Sequence, residues 1–263
     1  TKDTVIDTPP TVSIGEFEYA DHGRNRPSMT VADVVKRSSN VGAIEIERRL
    51  GSELHYEYLT KFGLGSPSSI DVAGERHGKL DPPSEWTATT GSSIAIGYAV
   101  GTTALQMAAV YATIANDGVW VEPYVVSEIQ QADGSRLLTK PRSRQVLSAE
   151  SAQTMRWMLG RVVMEEGTGR RARMTDYTAG GKTGTSQKFD AETGIYTEST
   201  TASFIGMAPL DDPKIVVAIV LDTPQGEGED GVDLSLGGAS AAPVFAEVAQ
   251  TALHQLGVAP DRG

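Results

Sequence analysis

Two short constellations carry side chains able to work together as a reaction centre. Ser38-Ser39-Asn40 lies between two stretches of helical periodicity, and Lys182-Thr183-Gly184-Thr185 opens a stretch that alternates with period two. A hydroxyl such as that of Ser38 can pass a proton to a leaving nitrogen. Asn40 can donate to a carbonyl while accepting from a neighbouring lysine. Lys182 offers a cation for a ligand carboxylate, Thr183 and Thr185 add hydroxyl donors, and Gly184 removes a side chain where an extended peptide could lie against the strand. Each group also has a plainer role: a helix cap for the first, a strand with a bulge at its glycine for the second. By residue frequencies, Ser-x-Asn arises about once in a chain of this length and Lys-Thr-Gly in roughly one such chain in twenty, so neither identifies the protein alone.

Other chemistries fail on spacing or composition. Gly181-Lys182-Thr183 is not the end of a phosphate-binding loop, because the position that must be glycine is Asp176, whose charge would repel the ligand. If Gly231 is set at the sixth position of a calcium loop, positions one and three become Gly226 and Gly228, so Glu227, Glu229, Asp230 and Asp233 read as a solvated loop. His22, His55, His77 and His254 lie too far apart for a metal site, and cysteine is absent, which excludes disulfides and thiolate chemistry. The 263 residues carry 34 acidic and 23 basic side chains, a net charge of −11 that argues against nucleic acid and anionic lipid as partners. No window approaches the length of a membrane span, and the N-terminus, without Met or a signal pattern, reads as that of an excised or processed piece.

The elements that must position the two groups can be read from periodicity. Thr11–Gly15 alternates briefly within a segment punctuated by Pro and Gly. Helices are predicted after Thr30 and again after Asn40, each capped by that residue, the second ending at Gly51. A third is expected over Glu53–Phe62, followed by a long surface connection over 66–90. Thr103–Asn116 predicts a buried helix stopped by Gly118, Pro123–Leu138 a hairpin around Ala-Asp-Gly, and Ala149–Glu165 an amphipathic helix with Met155, Met158, Leu159, Val162 and Val163 inward. Three strands follow, the last two joined by Asp211-Asp212-Pro213, and then a helix over Ala241–Leu256. Helices first, then an antiparallel sheet closed by a helix, make the chain α+β. Trp86 and Trp120 read as packing or loop anchors, Met107 as core and His77 as a loop residue.

Taken together, 142 residues apart and in this order, the two groups resemble two parts of the motif set of serine β-lactamases and penicillin-binding proteins. The surrounding text SSNVG, FGLGSPSSIDVAGE and GYAVGTTALQMAAVYATIANDG, with the order KTGT, strand, Asp-Pro turn, strand and terminal helix, resembles class B penicillin-binding proteins over essentially the whole chain. The resemblance implies a penicillin-binding transpeptidase/serine β-lactamase-like fold, an antiparallel sheet flanked by helices beside an all-helical lobe. The lobe would span about 30–165 and the sheet with its helix about 177–256. It also implies acyl transfer on D-Ala-D-Ala stem peptides of peptidoglycan, inhibition by β-lactams, no cofactor, and a place outside the cytoplasmic membrane with an anchor beyond this chain. A glycosyltransferase of the SEDS type and proteins of the division or elongation machinery are the implied partners. Ser38, Asn40 and Lys182 would be catalytic. Thr183, Gly184, Thr185, Gly97 and Tyr98 would bind substrate, with the Thr185 N–H as half of an oxyanion hole. Tyr98 alone could equally be a core aromatic.

The departures are specific. No serine is followed by lysine three residues later, so the family's Ser-x-x-Lys nucleophile is absent from these 263 residues. An N-terminal fragment of the same protein carrying that motif is expected as a partner; the competing expectation is an inactive remnant that binds muropeptide or another protein. Ala99 and Ala73 stand where relatives often carry glycine. Glu75, in Gly-Glu-Arg-His-Gly, does not match the water-activating glutamate of class A β-lactamases, which favours a persistent acyl-enzyme.

Overall fold

The computed structural model describes residues 1–21, 26–190, 192–228 and 230–262; His22 and Glu229 therefore lie outside the described residues. Four short strands come first: β1 (Val5–Asp7), β2 (Thr11–Ile14), β3 (Phe17–Ala20) and β4 (Ser28–Thr30). They pair as β1–β4 and β2–β3, turning most of the expected loop into two small antiparallel ribbons. Helices α1 (Val31–Arg37), α2 (Asn40–Leu50) and α3 (Ser52–Lys61) follow, then α4 (Thr90–Ala95) and α5 (Ala104–Ala115). Strands β5 (Val119–Val121), β6 (Glu128–Gln130), β7 (Arg136–Leu138) and β8 (Ser143–Gln145) form two ribbons, with β6–β7 the hairpin expected around Asp133-Gly134. Helix α6 (Ala149–Val162) leads to the main sheet of β9 (Gly180–Asp190), β10 (Ile195–Ala208) and β11 (Ile215–Asp222), and α7 (Ala241–Gln255) ends the fold.

The main sheet runs β11–β10–β9, antiparallel throughout, so β9 is an edge strand. Period-two alternation sends Phe204 and Ala208 of β10 toward α7, where Ala241, Ala242, Phe245, Ala249 and Leu253 form one buried helical face. The rings of Phe204 and Phe245 lie 4.8 Å apart. Ile205 and Met207 point the other way, onto Tyr111 and Ile114 of α5 and Leu159 of α6. The sheet is thus covered on both faces, and its register decides which side each β9 residue serves. Lys182 stands opposite Ile205 and so faces the helical side; Thr183 stands opposite Phe204 and faces α7.

Local chemistry explains the helix boundaries. Thr103 and Gln106 complete a reciprocal capping box at the start of α5. At the other end of α5, the buried Arg156 of α6 donates to Ile114 O and to Asp117 Oδ1, both at 2.9 Å, placing a cation on the helix's negative pole. Thr30 caps α1 as expected, accepting from Asp33 N. The cap of α2, however, is Ser39 rather than Asn40: the Ser39 Oγ accepts from Gly42 N at 2.9 Å, and Asn40 is the first helical residue. The bulge expected at Gly184 is also absent there. Gly184 pairs in register with Ser203, and the irregularity falls between Tyr196 and Thr200 of the neighbouring strand.

Candidate active site

Ser38 ends α1 in the left-handed region (φ 57°, ψ 46°), its N–H satisfied by the Val34 and Val35 carbonyls. That conformation, unusual for a residue with a Cβ, breaks α1 and lets α2 begin two residues later. The turn is held from below. Asp21 accepts from the Ser39 hydroxyl at 2.6 Å and from the Val41 N–H at 3.0 Å, while the buried Lys36 pairs with Glu166 beyond α6 at 3.0 Å. Ser39 is thereby spent on structure, its side chain bound to both Asp21 and Gly42. Ser38 is exposed, and the side chain of the half-buried Asn40 makes no hydrogen bond among the described residues.

Across the gap, Lys182 Nζ donates to Ser38 Oγ at 2.7 Å, joining residues 144 positions apart. Its other acceptors are both on Thr183: the carbonyl at 3.1 Å and the hydroxyl at 3.4 Å. No carboxylate pairs with this ammonium among the described residues, and burial pushes its pKa down to about 8. Such a cation retains a strong demand for an anion. Because Ser38 Oγ already accepts from the lysine, its own proton is free to be donated onward. The pair can therefore move a proton from Lys182 through Ser38 to a third group, and the ammonium can hold a carboxylate.

The strand is placed by close packing as much as by pairing. A Cβ on Gly181 would lie 2.6 Å from the Ile205 carbonyl and from the Phe204 ring, and one on Gly180 would meet Leu210 and the Gly160 backbone of α6. At Gly184 the space left open is entered by the Ser203 hydroxyl, 2.5 Å from where a Cβ would stand. The clearance expected for a ligand is thus shared with a rotatable neighbour. Thr183 donates to Thr168 at 3.0 Å, and Thr185 accepts from the Gly237 N–H at 3.0 Å.

Gly97 and Tyr98 stand apart from the Ser38–Lys182 pair. Gly97 (φ 91°) and Ala99 (φ 57°) both adopt left-handed backbone, so Ala99 carries a strain that glycine would not. Tyr98 packs edge-on against Tyr196 at 5.1 Å, and Tyr196 faces Phe189, seven residues beyond Lys182 along β9. Burial, with Tyr196 and Tyr19 nearby, raises the Tyr98 hydroxyl's pKa. Glu75 is held by the Ser68 N–H at 2.7 Å and belongs to a loop. The residues missed from sequence are Asp21, Thr168 and Gly237. Asp21 sits in a segment without periodicity, and nothing local marks a long-range acceptor there.

Comparison with known proteins gives the same direction along the entire chain. The family model described as the penicillin binding protein transpeptidase domain matches residues 1–250. Penicillin-binding protein PbpB of Mycolicibacterium smegmatis is 37% identical over 274 aligned residues, which take in 99% of this chain and 41% of that protein. Stage V sporulation protein D of Bacillus subtilis is 36% identical over 88% of this chain and 35% of its own length. The chain spans about two-fifths of the curated relatives it matches. The crystal structure of penicillin binding protein 3 from Mycobacterium tuberculosis, complexed with aztreonam, superposes with a TM-score of 0.89 at 34% identity, covering 99% of this chain and 59% of that one. With a family model spanning all but the last 13 of its 263 residues, this chain belongs to the transpeptidase-domain family of the class B penicillin-binding proteins.

Proposed function

We propose that this chain forms the proton-relay and anchoring wall of a serine D,D-transpeptidase that cross-links peptidoglycan. The observation that carries the reading is the 2.7 Å contact between Lys182 Nζ and Ser38 Oγ, which brings the two motifs into one proton path. The nucleophile is a serine in a Ser-x-x-Lys segment outside these 263 residues. It attacks the carbonyl of the penultimate D-Ala as its proton passes to the lysine of its own segment. The C–N bond breaks, and the terminal D-Ala leaves as its amine after taking a proton through Ser38 from Lys182, which regains one from the acceptor amine in the second half-reaction. An amine from a neighbouring stem peptide then displaces the serine. Lys182 and Thr183 hold the donor's terminal carboxylate, Asn40 donates to a substrate carbonyl, and the Thr185 N–H stabilises the oxyanion. Gly184 gives clearance, and Gly97 and Tyr98 form the far wall.

The same reading places residues about 30–165 in a helical lobe and about 177–256 in the sheet and its helix. The domain lies outside the cytoplasmic membrane on an anchor beyond this chain. There it works beside a SEDS-type glycosyltransferase in division or elongation. The sequence has no counterpart of the Glu-x-x-Leu-Asn segment that supplies the water-activating glutamate of class A β-lactamases, which supports a β-lactam acyl-enzyme that persists.

Fluorescent penicillin applied to the intact protein, with mass spectrometry of the labelled species, tests this. A single stable adduct on the segment bearing Ser-x-x-Lys is expected. Rapid turnover of a chromogenic cephalosporin would point instead to a β-lactamase. A species that never labels would favour a muropeptide- or partner-binding remnant.

A further inference from the structure

Away from the Ser38–Lys182 cleft, and sharing no residue with it, a cavity of about 320 Å³ opens between the end of α3, α5 and the β5–β8 ribbon. Its size is at the lower end of small-molecule sites. In a chain of net charge −11, its wall contains two arginines and no carboxylate. Phe62, Pro67, Ala109 and Trp120 supply apolar surface beside Arg142 and Arg144.

The two arginines differ in how they are engaged. Arg142 is tied to Glu122 through its backbone N–H and its guanidinium, and also donates to Ser69 Oγ at 3.1 Å. Arg144 has no ion-pair partner among the described residues. Its Nε donates to the Lys61 carbonyl at 2.9 Å, and its terminal nitrogens have no protein acceptor among the described residues. The guanidinium carbon lies over the ring of Trp120, its directly opposed cross-strand neighbour, 3.7 Å from the centroid. Trp120 is only 5% exposed, and its Nε1–H is buried without any acceptor among the described residues. An orphaned buried donor of this kind is uncommon and calls for an explanation.

Gly63 shows that the two unpaired donors converge. An atom added at its Cβ position would stand 3.4 Å from Trp120 Nε1 and 3.6 Å from Arg144 Nη2. Glycine at φ 93° puts no side chain between the two donors, so an acceptor lying against its backbone can approach both. One acceptor group entering there could satisfy both the indole N–H and the free edge of the guanidinium. We propose that this cavity is a carboxylate-binding site, taking a small carboxylate with a compact apolar body. A planar carboxylate suits the guanidinium fork, the apolar wall suits a hydrocarbon or aromatic body, and a single uncommitted cation matches one negative charge better than two. Burial and the like charge of Arg142 already lower the Arg144 pKa, a cost that an incoming anion would relieve.

Benzoate is a suitable probe, read through the indole N–H resonances of the ¹⁵N-labelled intact protein. The Trp120 signal is assigned by its loss in Trp120→Phe. Benzoate should move that resonance downfield and saturably. Benzamide, with the same shape and no charge, should do so at least about tenfold more weakly, as should benzoate on Arg144→Gln. Ala109→Leu, which fills the cavity and removes no polar group, should also abolish the shift while the circular dichroism of the folded protein is retained. The proposal is overturned by a Trp120 resonance unmoved at about 10 mM benzoate, by equal responses to benzoate and benzamide, or by full binding to Arg144→Gln. Because none of these readouts uses the transpeptidase reaction, failure here leaves the reading of the Ser38–Lys182 cleft unaffected.

Discussion

The two ends of the β9–β10 hairpin are built to opposite standards. At the inner end, Gly180 and Gly181 press backbone against α6 and Phe204, Lys182 reaches Ser38, and the facing Phe204, Ile205 and Met207 are buried. At the outer end Phe189, Ile195 and Tyr196 are 57%, 61% and 44% exposed, and the register shifts between Tyr196 and Thr200. One continuous strand therefore passes from an over-determined anchor to a loosely held tip. A lysine that must meet a serine from another element needs the first. A tip that packs its aromatic rings on Tyr98 tolerates the second.

The sharpest way to break the contrast is Lys182→Ala. If Lys182 is the proton source and carboxylate anchor, acylation of the intact protein by penicillin should slow by about 10²–10³-fold, with little loss of folding. A stopped-flow labelling rate within tenfold of the parent would rule the role out. The pH dependence sharpens it. With the lysine at about 8, the second-order acylation rate should fall as pH rises through that value, because the neutral amine neither holds a carboxylate nor supplies a proton. Stability should move the other way. The folded-state pKa is depressed below the unfolded one, so the unfolded chain binds more protons between about 8 and 10.5. The burial penalty is complete below that window and is relieved as pH rises through it, so denaturation midpoints taken across the window should rise. A flat or falling trend would mean that the amine is not desolvated.

Gly181→Ala tests whether close packing sets the strand. The new methyl would meet the Ile205 carbonyl, which belongs to a paired strand and cannot swing away. A loss of about 2–3 kcal/mol is expected by chemical denaturation, and a change under about 0.5 kcal/mol would show that β9 can slide. Ser38→Ala should slow labelling by about tenfold or more through loss of the relay. Ser38→Gly is the control. It loses the same hydroxyl but suits the left-handed backbone, so it should be as slow as the alanine variant and more stable by up to about 1 kcal/mol. Equal labelling by parent and both variants would remove Ser38 from the mechanism.

The chemistry of this site was more legible than its support, for a physical reason. Lysine, threonine and glycine on an alternating strand, and serine and asparagine between helical stretches, declare themselves by type and local period. What holds them does not. Choosing Ser39 over Asn40 as the cap required knowing that Asp21 sits below the turn, and Asp21 comes from a segment with no pattern of its own. Strands β1, β3 and β4 were missed, and β2 was readable only as a strand or a loop, because three- and four-residue strands give too few alternations to count. Gly180 and Gly181 read only as the start of a strand, yet their contacts are with Gly160, Leu210 and Phe204, partners that only the folded chain brings near.

The smallest effect belongs to the outer end. Phe189 is more than half exposed and contacts Tyr196 at 5.3 Å, itself edge-on to Tyr98. Phe189→Ser should therefore cost about 0.5–1 kcal/mol, the value of one partly solvated aromatic pair, and leave the penicillin labelling rate within about twofold. That outcome would confine rigidity to the inner end. A tenfold loss of labelling with the same small stability change would instead bring Phe189 and Tyr196 into the surface that grips the substrate beside Tyr98, and the division between a fixed anchor and a tolerant tip would fail.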